Sequence, residues 1–410
     1  MKVAFRKCPM KYLVLVGDGM ADYPLDDLEG KTPLMVARTP NLDFLAQQGR
    51  LGLVCTIPKG CPKGSEIANL SIFGYDPTIY YTGRGPLEAA SIGVQLGPDD
   101  VAFRCNLVTL EALGGTVIMR DYSAGHISAA EGKEIILDLE RELGDTTFRF
   151  YPGVSYRHLL VWHGGKEAMQ TTPPHDITDH DIGDYLPRGE GSRDLIRLMT
   201  DAQILLKTHP ANERRRQEGR REVSSIWPWG QGRAPRIPTF SQKFSLQGCV
   251  ISAVDLIKGI GIYAGLQVVE VPGATGYLDT NYRGKAEYGL KALEETDFVY
   301  IHVEAPDEAS HNGDLEAKIE AIERFDELIV GTVLQGVQQL EDSKIMVLPD
   351  HPTPIPLRTH ADDPVPFVMY PWEQDCSSTV RSFDEKGAKE SGIFVKDGHT
   401  LMERFIRGSC

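Results

Sequence analysis

The sequence predicts an α/β protein with a mainly parallel central sheet, into which a smaller α+β domain is inserted. Three short apolar runs, at residues 12–16, 298–303 and 345–348, have the composition of buried parallel strands. Helix-like stretches lie between the runs, and in residues 315–330 the apolar positions recur at helical spacing. Strands that alternate with helices indicate a parallel sheet, and such sheets bind ligands at the carboxyl ends of their strands.

Acidic residues and histidines follow each apolar run, at the point where the strand would end. The first run is followed by Asp18, the second by Glu304 and Asp307, and the third by Asp350 and His351. Because parallel strands end at the same edge of a sheet, we expect these side chains to meet there.

The length and the changing character of the sequence predict two domains. A chain of 410 residues is too long for one ordinary hydrophobic core. Residues 84–235 differ from the rest, with strand-like pieces such as residues 155–162 and loops rich in Pro and His. We therefore expect residues 1–83 and 236–410 to form one discontinuous domain around an insert at 84–235.

The charge of the chain excludes several classes of partner. With 58 acidic and 43 basic residues, the formal net charge is -15, so the average field repels nucleic acid and anionic membranes. The basic stretch at residues 212–221 is accordingly interpreted as a solvated helix face rather than a nucleic-acid patch.

Cysteine usage and the amino-terminal segment predict a cytoplasmic protein. The seven cysteines show no CxxC spacing and are too sparse for a disulfide scaffold, which favours reduced thiols. The apolar run before Asp18 is too short for a signal peptide or a membrane span. The sequence leaves the oligomeric state open.

A metal centre is the interpretation that best explains the polar residues after the strands. Asp307 and His311 are four residues apart, so one helical turn would place them on the same face. Taken singly, each acid or histidine is better explained as a helix cap or a hydrogen-bonded residue, but three ligand-bearing strand ends favour two ions. Carboxylates and imidazoles without thiolates suit Mn²⁺, Zn²⁺ or Mg²⁺. The candidate ligands are Asp18, Asp307, His311, Asp350, His351 and His360.

Ser65 is the candidate nucleophile. Residues 59–70 run from a loop into a short helix that Gly74 can terminate, which places Ser65 near the helix amino terminus. A phosphoryl group there would meet free backbone N–H groups and the positive end of the helix dipole. A divalent ion would also activate the serine hydroxyl. The alternative is that Ser65 only caps the helix.

Long strings of the sequence resemble the archaeal-type, 2,3-bisphosphoglycerate-independent phosphoglycerate mutases of the alkaline phosphatase superfamily. The resemblance covers nearly the whole chain and is specific to the family more than to one reaction. The strings are VGDGMADYPLDDLEGKTPL, ARTPNLDFLAQQG, GSEIANLSIFGYDP, GRGPLEAASIGV, DYSAGHIS, GATGYLDTNYRGKAE, EAPDEASHNGDLEAKIEAIERFD and LPDHPTPIPLRTH.

The resemblance implies an alkaline-phosphatase-like sandwich that holds two divalent ions, here Mn²⁺ with Zn²⁺ or Mg²⁺ as alternatives, and no bisphosphoglycerate. It also implies a partition of the ligands between the ions, with Ser65 as both ligand and nucleophile. The first set is Asp18, Ser65, Asp350 and His351, and the second is Asp307, His311 and His360.

Substrate-binding residues are carried over from the same resemblance. The GRAPR string resembles an arginine pair that holds phosphate and carboxylate in the larger mutases, and Lys258 resembles a lysine that contributes at the phosphoserine. Each candidate has an alternative explanation as a surface ion pair or a loop hydrogen bond. The candidates are Arg233, Arg236, Lys258, Arg157, His126, His175 and Asp176.

The function implied by the family is interconversion of 3-phosphoglycerate and 2-phosphoglycerate through a phosphoserine on Ser65. The insert would bind the substrate and close as a lid that excludes water. His126, His175 or Asp176 could move the hydroxyl proton. Three other functions remain open: a homoserine-kinase-like phosphotransferase, a metal-dependent phosphatase or phosphodiesterase, and a binding protein with structural ions.

Overall fold

The computed structural model describes residues 10–340, 342–372 and 382–408, and the chain forms two compact units. Unit 1 comprises Met1–Tyr81 and Arg236–Cys410, and unit 2 comprises Thr82–Pro235. Three of the cysteines, at positions 8, 376 and 410, lie outside the described residues. In the part of the chain that is described, no helix combines the length and the apolar character needed to cross a bilayer.

The described residues form fifteen strands. In chain order these are β1 (Lys11–Gly17), β2 (Arg50–Val54), β3 (Val101–Leu113), β4 (Thr116–Asp121), β5 (Phe148–Val154), β6 (Arg157–Trp162), β7 (Met169–Gln170), β8 (Arg188–Gly189), β9 (Ser225–Gly232), β10 (Gly248–Ile251), β11 (Gln267–Val268), β12 (Phe298–Val303), β13 (Ser343–Leu348), β14 (Val365–Tyr370) and β15 (Phe394–Val395).

Sixteen α-helices connect these strands within the described ranges. They are α1 (Pro33–Val36), α2 (Pro40–Gln48), α3 (Ser65–Ile72), α4 (Pro77–Tyr80), α5 (Arg84–Ser91), α6 (Ala129–Leu143), α7 (Ser192–Lys207), α8 (Pro210–Gln217), α9 (Phe240–Phe244), α10 (Asp255–Tyr263), α11 (Tyr282–Ala292), α12 (Ala305–Asn312), α13 (Leu315–Arg324), α14 (Gly331–Val337), α15 (Glu385–Glu390) and α16 (Leu401–Arg407).

Unit 1 is built on an eight-stranded sheet in the order β11-β10-β12-β1-β13-β14-β2-β15. Five of its seven neighbouring pairs are parallel, and only β14 runs antiparallel, to both β13 and β2. The predicted α/β fold with a mainly parallel central sheet is therefore confirmed. The three apolar runs from which it was predicted are the three adjacent strands β12, β1 and β13.

The register of these three strands places their carboxyl ends side by side. In β1, Gly17 pairs with Val303 of β12, and Val16 pairs with Leu348 of β13. Every residue of β12 is buried, which is the pattern of a strand covered on both faces. The loops that carry the candidate ligands therefore leave the sheet at one edge.

The helical stretch that begins at Leu315 is longer than the predicted 315–330. It runs as α13, a π-helical segment at Phe325–Val330, and then α14. Glycine usually weakens a helix, yet α14 begins at Gly331. In the fold its missing side chain makes room for Asn41, whose Nδ2 would lie 3.1 Å from an added Cβ.

Unit 2 contains a five-stranded antiparallel sheet, with β3 at its centre. The strand order is β4-β3-β6-β5, and β9 also pairs with β3. Helices α6 and α7 contribute to the main core of the unit, whereas Ala89 of α5 packs in a separate cluster with Ala102, Leu159 and Val161. This arrangement agrees with the α+β character predicted for the insert.

The basic stretch at residues 212–221 is only partly the solvated face that was expected. Arg215 is buried, and its guanidinium donates to the backbone oxygens of Arg221 and Ala124 at 2.7 and 2.6 Å. Glu131 also pairs with Arg215 at 3.2 Å, so burial of the charge is compensated. Helical position alone does not reveal these acceptors, because all of them lie outside helix α8.

Candidate active site at the strand ends of unit 1

Seven polar residues that were predicted as ligands or nucleophile meet at the carboxyl edge of the large sheet. Ser65 Oγ lies 3.1 Å from His351 Nε2. Asp18 Oδ1 and Asp350 Oδ2 each lie 3.5 Å from the same nitrogen. These four side chains thus direct donor atoms toward one point.

A second group of ligand atoms surrounds Asp307. His311 Nε2 lies 3.1 Å from Asp307 Oδ2 and 2.9 Å from His360 Nε2. His360 Nε2 lies 3.6 Å from Asp307 Oδ1. Asp307 and His311 lie one turn apart on α12, as the four-residue spacing predicted. His351 is close enough to belong to this group as well as to the first.

The arrangement fits divalent metal ions. Ligand atoms at right angles around an ion, each about 2.1 Å from it, lie roughly 3 Å apart, which is close to the spacings found here. Asp18 Oδ1 is buried and has no hydrogen-bond partner among the described residues, so a cation would satisfy it. Two groups have ligand atoms within 4.8 Å of one another: Asp18, Asp350 and His351, and Asp307, His351 and His360.

Burial of the Asp18 and Asp350 carboxylates beside His351 is energetically costly in the absence of a cation. It raises the pKa of Asp18 well above its usual range, and the nearby Asp350 and Asp307 raise it further. Burial also raises the pKa of Asp350. The pKa of His351 is lowered to about 3, first by burial and then by His360, so this imidazole is neutral and free to bind metal.

In the second group, which is Asp307, His311 and His360, the charge of the carboxylate is compensated by the histidines. Burial alone would raise the pKa of Asp307, but His360 and His311 outweigh it and hold that pKa well below its usual range. For His311, burial alone would lower the pKa, but the hydrogen bond and the charge of Asp307 raise it to about 9. Protons on these imidazoles therefore balance the Asp307 carboxylate, which is the role that a metal cation would take over.

Three neighbouring side chains that were not predicted from the sequence form hydrogen bonds with the candidate ligands. His302 Nε2 lies 2.9 Å from Asp18 Oδ2, Thr353 Oγ1 donates to Asp307 Oδ1 at 2.5 Å, and Asn69 Nδ2 donates to Asp350 Oδ2 at 2.8 Å. The signal for His302 was present in the sequence, because it is a polar residue within an otherwise apolar strand.

The hydroxyl of Ser65 is not used to cap the helix. Ser65 is the first residue of α3, and Gly64, which has no side chain to offer, occupies the capping position. The alternative explanation of Ser65 as an N-cap is therefore wrong. Its hydroxyl instead faces His351, beside backbone N–H groups of the first helical turn.

Some of the predicted substrate-binding residues cluster in unit 2. The rings of His126 and His175 both pack edge-on against Tyr122, with centroids 6.5 and 6.0 Å apart. His175 also lies 3.7 Å from the carboxylate of Asp176. Both histidines and Asp176 are exposed.

Three arginines act on the carboxylate of one glutamate in the same unit, Glu88, whose side chain is 13% exposed. Glu88 Oε1 accepts from Arg104 at 2.8 Å and from Arg84 at 3.1 Å. Burial alone would raise the pKa of Glu88, but Arg104, Arg84 and Arg157 lower it. Arg157 is exposed and lies over Tyr156, 6.0 Å from its centroid. The sequence analysis missed Arg84 and Arg104, and the cluster has more positive than negative charge.

The remaining candidates lie elsewhere in their units. Arg233 pairs with Glu167 at 3.1 Å and donates to the Gly165 oxygen at 3.0 Å. Arg236 is exposed and is the first residue of the second segment of unit 1. Lys258 pairs with Glu270 at 2.9 Å. The two arginines of GRAPR therefore belong to different units.

Comparison with known proteins identifies the family. The family model for 2,3-bisphosphoglycerate-independent phosphoglycerate mutase matches residues 46–212. A protein of that name from Methanosarcina barkeri is 52% identical over 400 residues, which cover 97% of this chain and 100% of the relative. This chain belongs to the 2,3-bisphosphoglycerate-independent phosphoglycerate mutase family.

Solved structures agree with this membership. A protein from Pyrococcus horikoshii is 31% identical and superposes with a TM-score of 0.83, covering 98% of each chain. A cofactor-independent phosphoglycerate mutase from Thermoplasma acidophilum is 26% identical, with a TM-score of 0.67 over 98% of this chain and 100% of that one. In this family member, the carboxylate and imidazole groups at the sheet edge fit divalent metal ions.

Proposed function

We propose that this chain interconverts 3-phosphoglycerate and 2-phosphoglycerate, with Ser65 carrying the phosphoryl group between the two oxygens. The relatives named above as phosphoglycerate mutases support the reaction. The observation that supports the role of Ser65 is the position of its hydroxyl, 3.1 Å from His351 Nε2. The same nitrogen lies 3.5 Å from Asp18 Oδ1 and 3.5 Å from Asp350 Oδ2.

The first half-reaction makes one bond to Ser65 and breaks one bond in the substrate. Ser65 Oγ attacks phosphorus, the Oγ–P bond forms, and the bond from phosphorus to the C3 oxygen breaks. The serine proton is released and the C3 oxygen of glycerate gains a proton. In the second half, the C2 oxygen of glycerate attacks phosphorus and loses its proton, the Oγ–P bond breaks, and Ser65 Oγ regains a proton, which gives 2-phosphoglycerate and free serine.

Two divalent ions would supply electrostatic stabilisation of the transferring phosphoryl group and lower the pKa of the serine hydroxyl. Asp18, Ser65, Asp350 and His351 would hold one ion, and a second set would hold the other. That second set is Asp307, His311 and His360, with His351 adjacent. We propose Mn²⁺, with Zn²⁺ and Mg²⁺ as the alternatives, because a set of carboxylates and imidazoles without thiolates suits these ions.

Unit 2 would bind the substrate and keep water away from the phosphoserine. The excess of arginine over carboxylate around Glu88 supports this role, because a guanidinium fork matches carboxylate and phosphate groups. His126, His175 and Asp176 are the candidates for moving the hydroxyl proton. We further propose a cytoplasmic location and a small phosphorylated substrate as the partner.

A coupled assay tests the proposal. Metal-free protein is reloaded with Mn²⁺, and conversion of 3-phosphoglycerate to 2-phosphoglycerate is followed without added bisphosphoglycerate. We expect turnover that requires metal and disappears with chelator. Fully metallated protein that shows no turnover would contradict the proposal. Turnover of homoserine with a nucleotide donor, or phosphate release from many esters, would instead indicate the phosphotransferase or the phosphatase.

A further inference from the structure

Asn69 makes three hydrogen bonds that connect the nucleophile helix to a candidate metal ligand. Its Nδ2 donates to the backbone oxygen of Ser65 at 2.9 Å and to Asp350 Oδ2 at 2.8 Å. Its Oδ1 accepts from the hydroxyl of Tyr300 at 2.5 Å. Asn69 is fully buried, so water does not compete for these bonds.

Tyr300 fixes the orientation of this amide. A tyrosine hydroxyl at Oδ1 leaves the two N–H groups of Asn69 for Ser65 and Asp350. The ring of Tyr300 also stacks on Phe73, with centroids 4.0 Å apart and an interplanar angle of 19°. Asn69 and Phe73 lie four residues apart, so β12 contacts this helical segment at two successive turns through one side chain.

The other oxygen of Asp350 is also held by donors. Asp350 Oδ1 accepts from the backbone N–H groups of Gly19 and His351, at 3.1 and 2.9 Å. With Asn69 on Oδ2, three N–H groups from three segments define the plane of the carboxylate. Of these donors, Asn69 also holds the backbone of Ser65 at the start of α3, whereas His351 faces the Ser65 hydroxyl through its ring.

We propose that Asn69, oriented by Tyr300, is a positioning residue that sets the distance between the Ser65 hydroxyl and the metal-binding carboxylate of Asp350. Its amide spans the two groups, so a shift of α3 relative to β13 would break a hydrogen bond at one end or the other. This inference rests on the proposed two-metal function of the site. The Tyr300 hydroxyl acts through Asn69 and reaches neither Ser65 nor Asp350 by any hydrogen bond recorded within the described residues.

Two substitutions test the proposal at different strengths. Asn69→Leu removes all three hydrogen bonds at nearly constant volume, and Tyr300→Phe removes only the hydroxyl while keeping the ring stack. Mn²⁺ binding to metal-free protein is measured by electron paramagnetic resonance, and kcat and KM by the coupled assay. We expect Asn69→Leu to weaken Mn²⁺ binding and lower kcat by about 10–100-fold, as for other residues that support metal ligands. Tyr300→Phe should also weaken Mn²⁺ binding and lower kcat, but by a smaller factor than Asn69→Leu.

The chain offers matched controls for both changes. Tyr75 is a buried tyrosine whose hydroxyl donates to the Pro238 oxygen at 2.8 Å. Asn212 is a buried asparagine in unit 2 whose amide makes three backbone hydrogen bonds. Tyr75→Phe and Asn212→Leu should lower thermal stability yet leave Mn²⁺ affinity and kcat at wild-type values.

The outcomes separate a positioning role from a structural one. Because Asn69 contacts no substrate in this proposal, KM should stay constant while kcat falls. Wild-type Mn²⁺ affinity and kcat in Asn69→Leu would overturn the inference, and so would equal losses in the control variants. If Asn69→Leu does not fold, unchanged Mn²⁺ affinity and kcat in Tyr300→Phe would overturn it. Mn²⁺ affinity also tests the inference if the wild-type protein shows no mutase turnover, which would contradict only the proposed substrate.

Discussion

Ser65 and Ser71 are two serines of one helix whose hydroxyls have different surroundings. Ser65 Oγ faces His351, whereas the buried Ser71 Oγ has no hydrogen-bond partner among the described residues. We expect Ser65→Ala to lower kcat by more than about a thousandfold while the fold and metal binding persist. Ser71→Ala, the same change on the same helix, should leave kcat unaltered. Mutase turnover retained in Ser65→Ala would exclude the phosphoserine.

His158 predicts how the stability of unit 2 depends on pH. Burial lowers its pKa from 6.5 to about 3, so the folded protein binds fewer protons than the unfolded chain below pH 6.5. The contribution of His158 to the free energy of unfolding is therefore fully present above pH 6.5 and is lost as the pH falls toward 3. When the pH is lowered from 7 to 5, we expect the free energy of unfolding of unit 2 to fall by about 2 kcal/mol because of this residue.

Hydrogen exchange at the backbone amides of β6 measures this effect. His158→Leu removes the titrating ring, so the free energy of opening should lose this part of its pH dependence. The variant should be less stable than the wild type at pH 7, because the backbone N–H of Gly153 loses its acceptor on the ring. An equally steep pH dependence in both proteins would contradict the assignment.

Residue chemistry could be predicted where polarity interrupts a clear apolar pattern. Asp18 and Asp350 were found because they directly follow buried strands, and the structure places both at the sheet edge. Asn69 and Arg104 were missed because their importance lies in contacts between segments distant in sequence. A helix or strand pattern records which face a residue occupies but not which partner meets it there.

Lys318 of α13 links the two loops that carry the candidate ligands Asp18, Asp350 and His351. Its Nζ donates to Asp22 Oδ2 at 2.7 Å and to the backbone oxygens of Thr353 and Ala21 at 3.0 and 3.3 Å. Both charged side chains are fully buried. Removal of one partner from a buried ion pair leaves the other charge without compensation.

We expect Lys318→Met to lower the free energy of unfolding by about 3–5 kcal/mol, measured by chemical denaturation of the metal-loaded protein. Lys386→Met is the control, because Lys386 is largely exposed and its contact with Glu390 is 4.0 Å long. A loss no larger than that of the control would show that Lys318 does not hold the loops. Adding Asp22→Asn to Lys318→Met should recover part of the loss.

Elements were predictable when their pattern was continuous. The runs at 12–16, 298–303 and 345–348 each lie within a strand and miss its ends by at most two residues. The predicted stretch at 315–330 is shorter than the observed helical segment, which continues through Gly331 although glycine has a low helix propensity. The tertiary role of Gly331, the close approach of Asn41, is absent from any local pattern.

At the scale of the whole molecule, metal should stabilise one unit far more than the other. Asp18 and Asp350 are buried together, and burial raises the pKa of both carboxyl groups, so unit 1 bears a cost in the metal-free protein that a bound cation would remove. Mn²⁺ at a hundredfold excess over its dissociation constant should add about 2.7 kcal/mol per site. Hydrogen exchange with and without chelator should show protection gained in β1, β12 and β13. An equal gain in β3 and β6 of unit 2 would contradict this expectation.

The organisation of the chain was predictable to the extent that composition changes along it. Unit 2 comprises Thr82–Pro235, and the change in sequence composition predicts an insert at residues 84–235. The sequence suggests that Arg233 and Arg236 act as a pair, but the boundary between the two units falls between them. Sequence adjacency does not show that the chain passes from one core to another at that point.

The insertion of unit 2 between parts of unit 1 has a consequence for synthesis. In the described chain, all seven strands of unit 2 lie within residues 82–235, whereas both neighbours of β1 begin only at Phe298 and Ser343. Ribosomes add roughly 5–20 residues per second, so β1 waits tens of seconds for a partner while unit 2 can complete its core. During that time an apolar strand remains unpaired, and we expect the nascent chain to depend on chaperones that shield it until the last third has emerged.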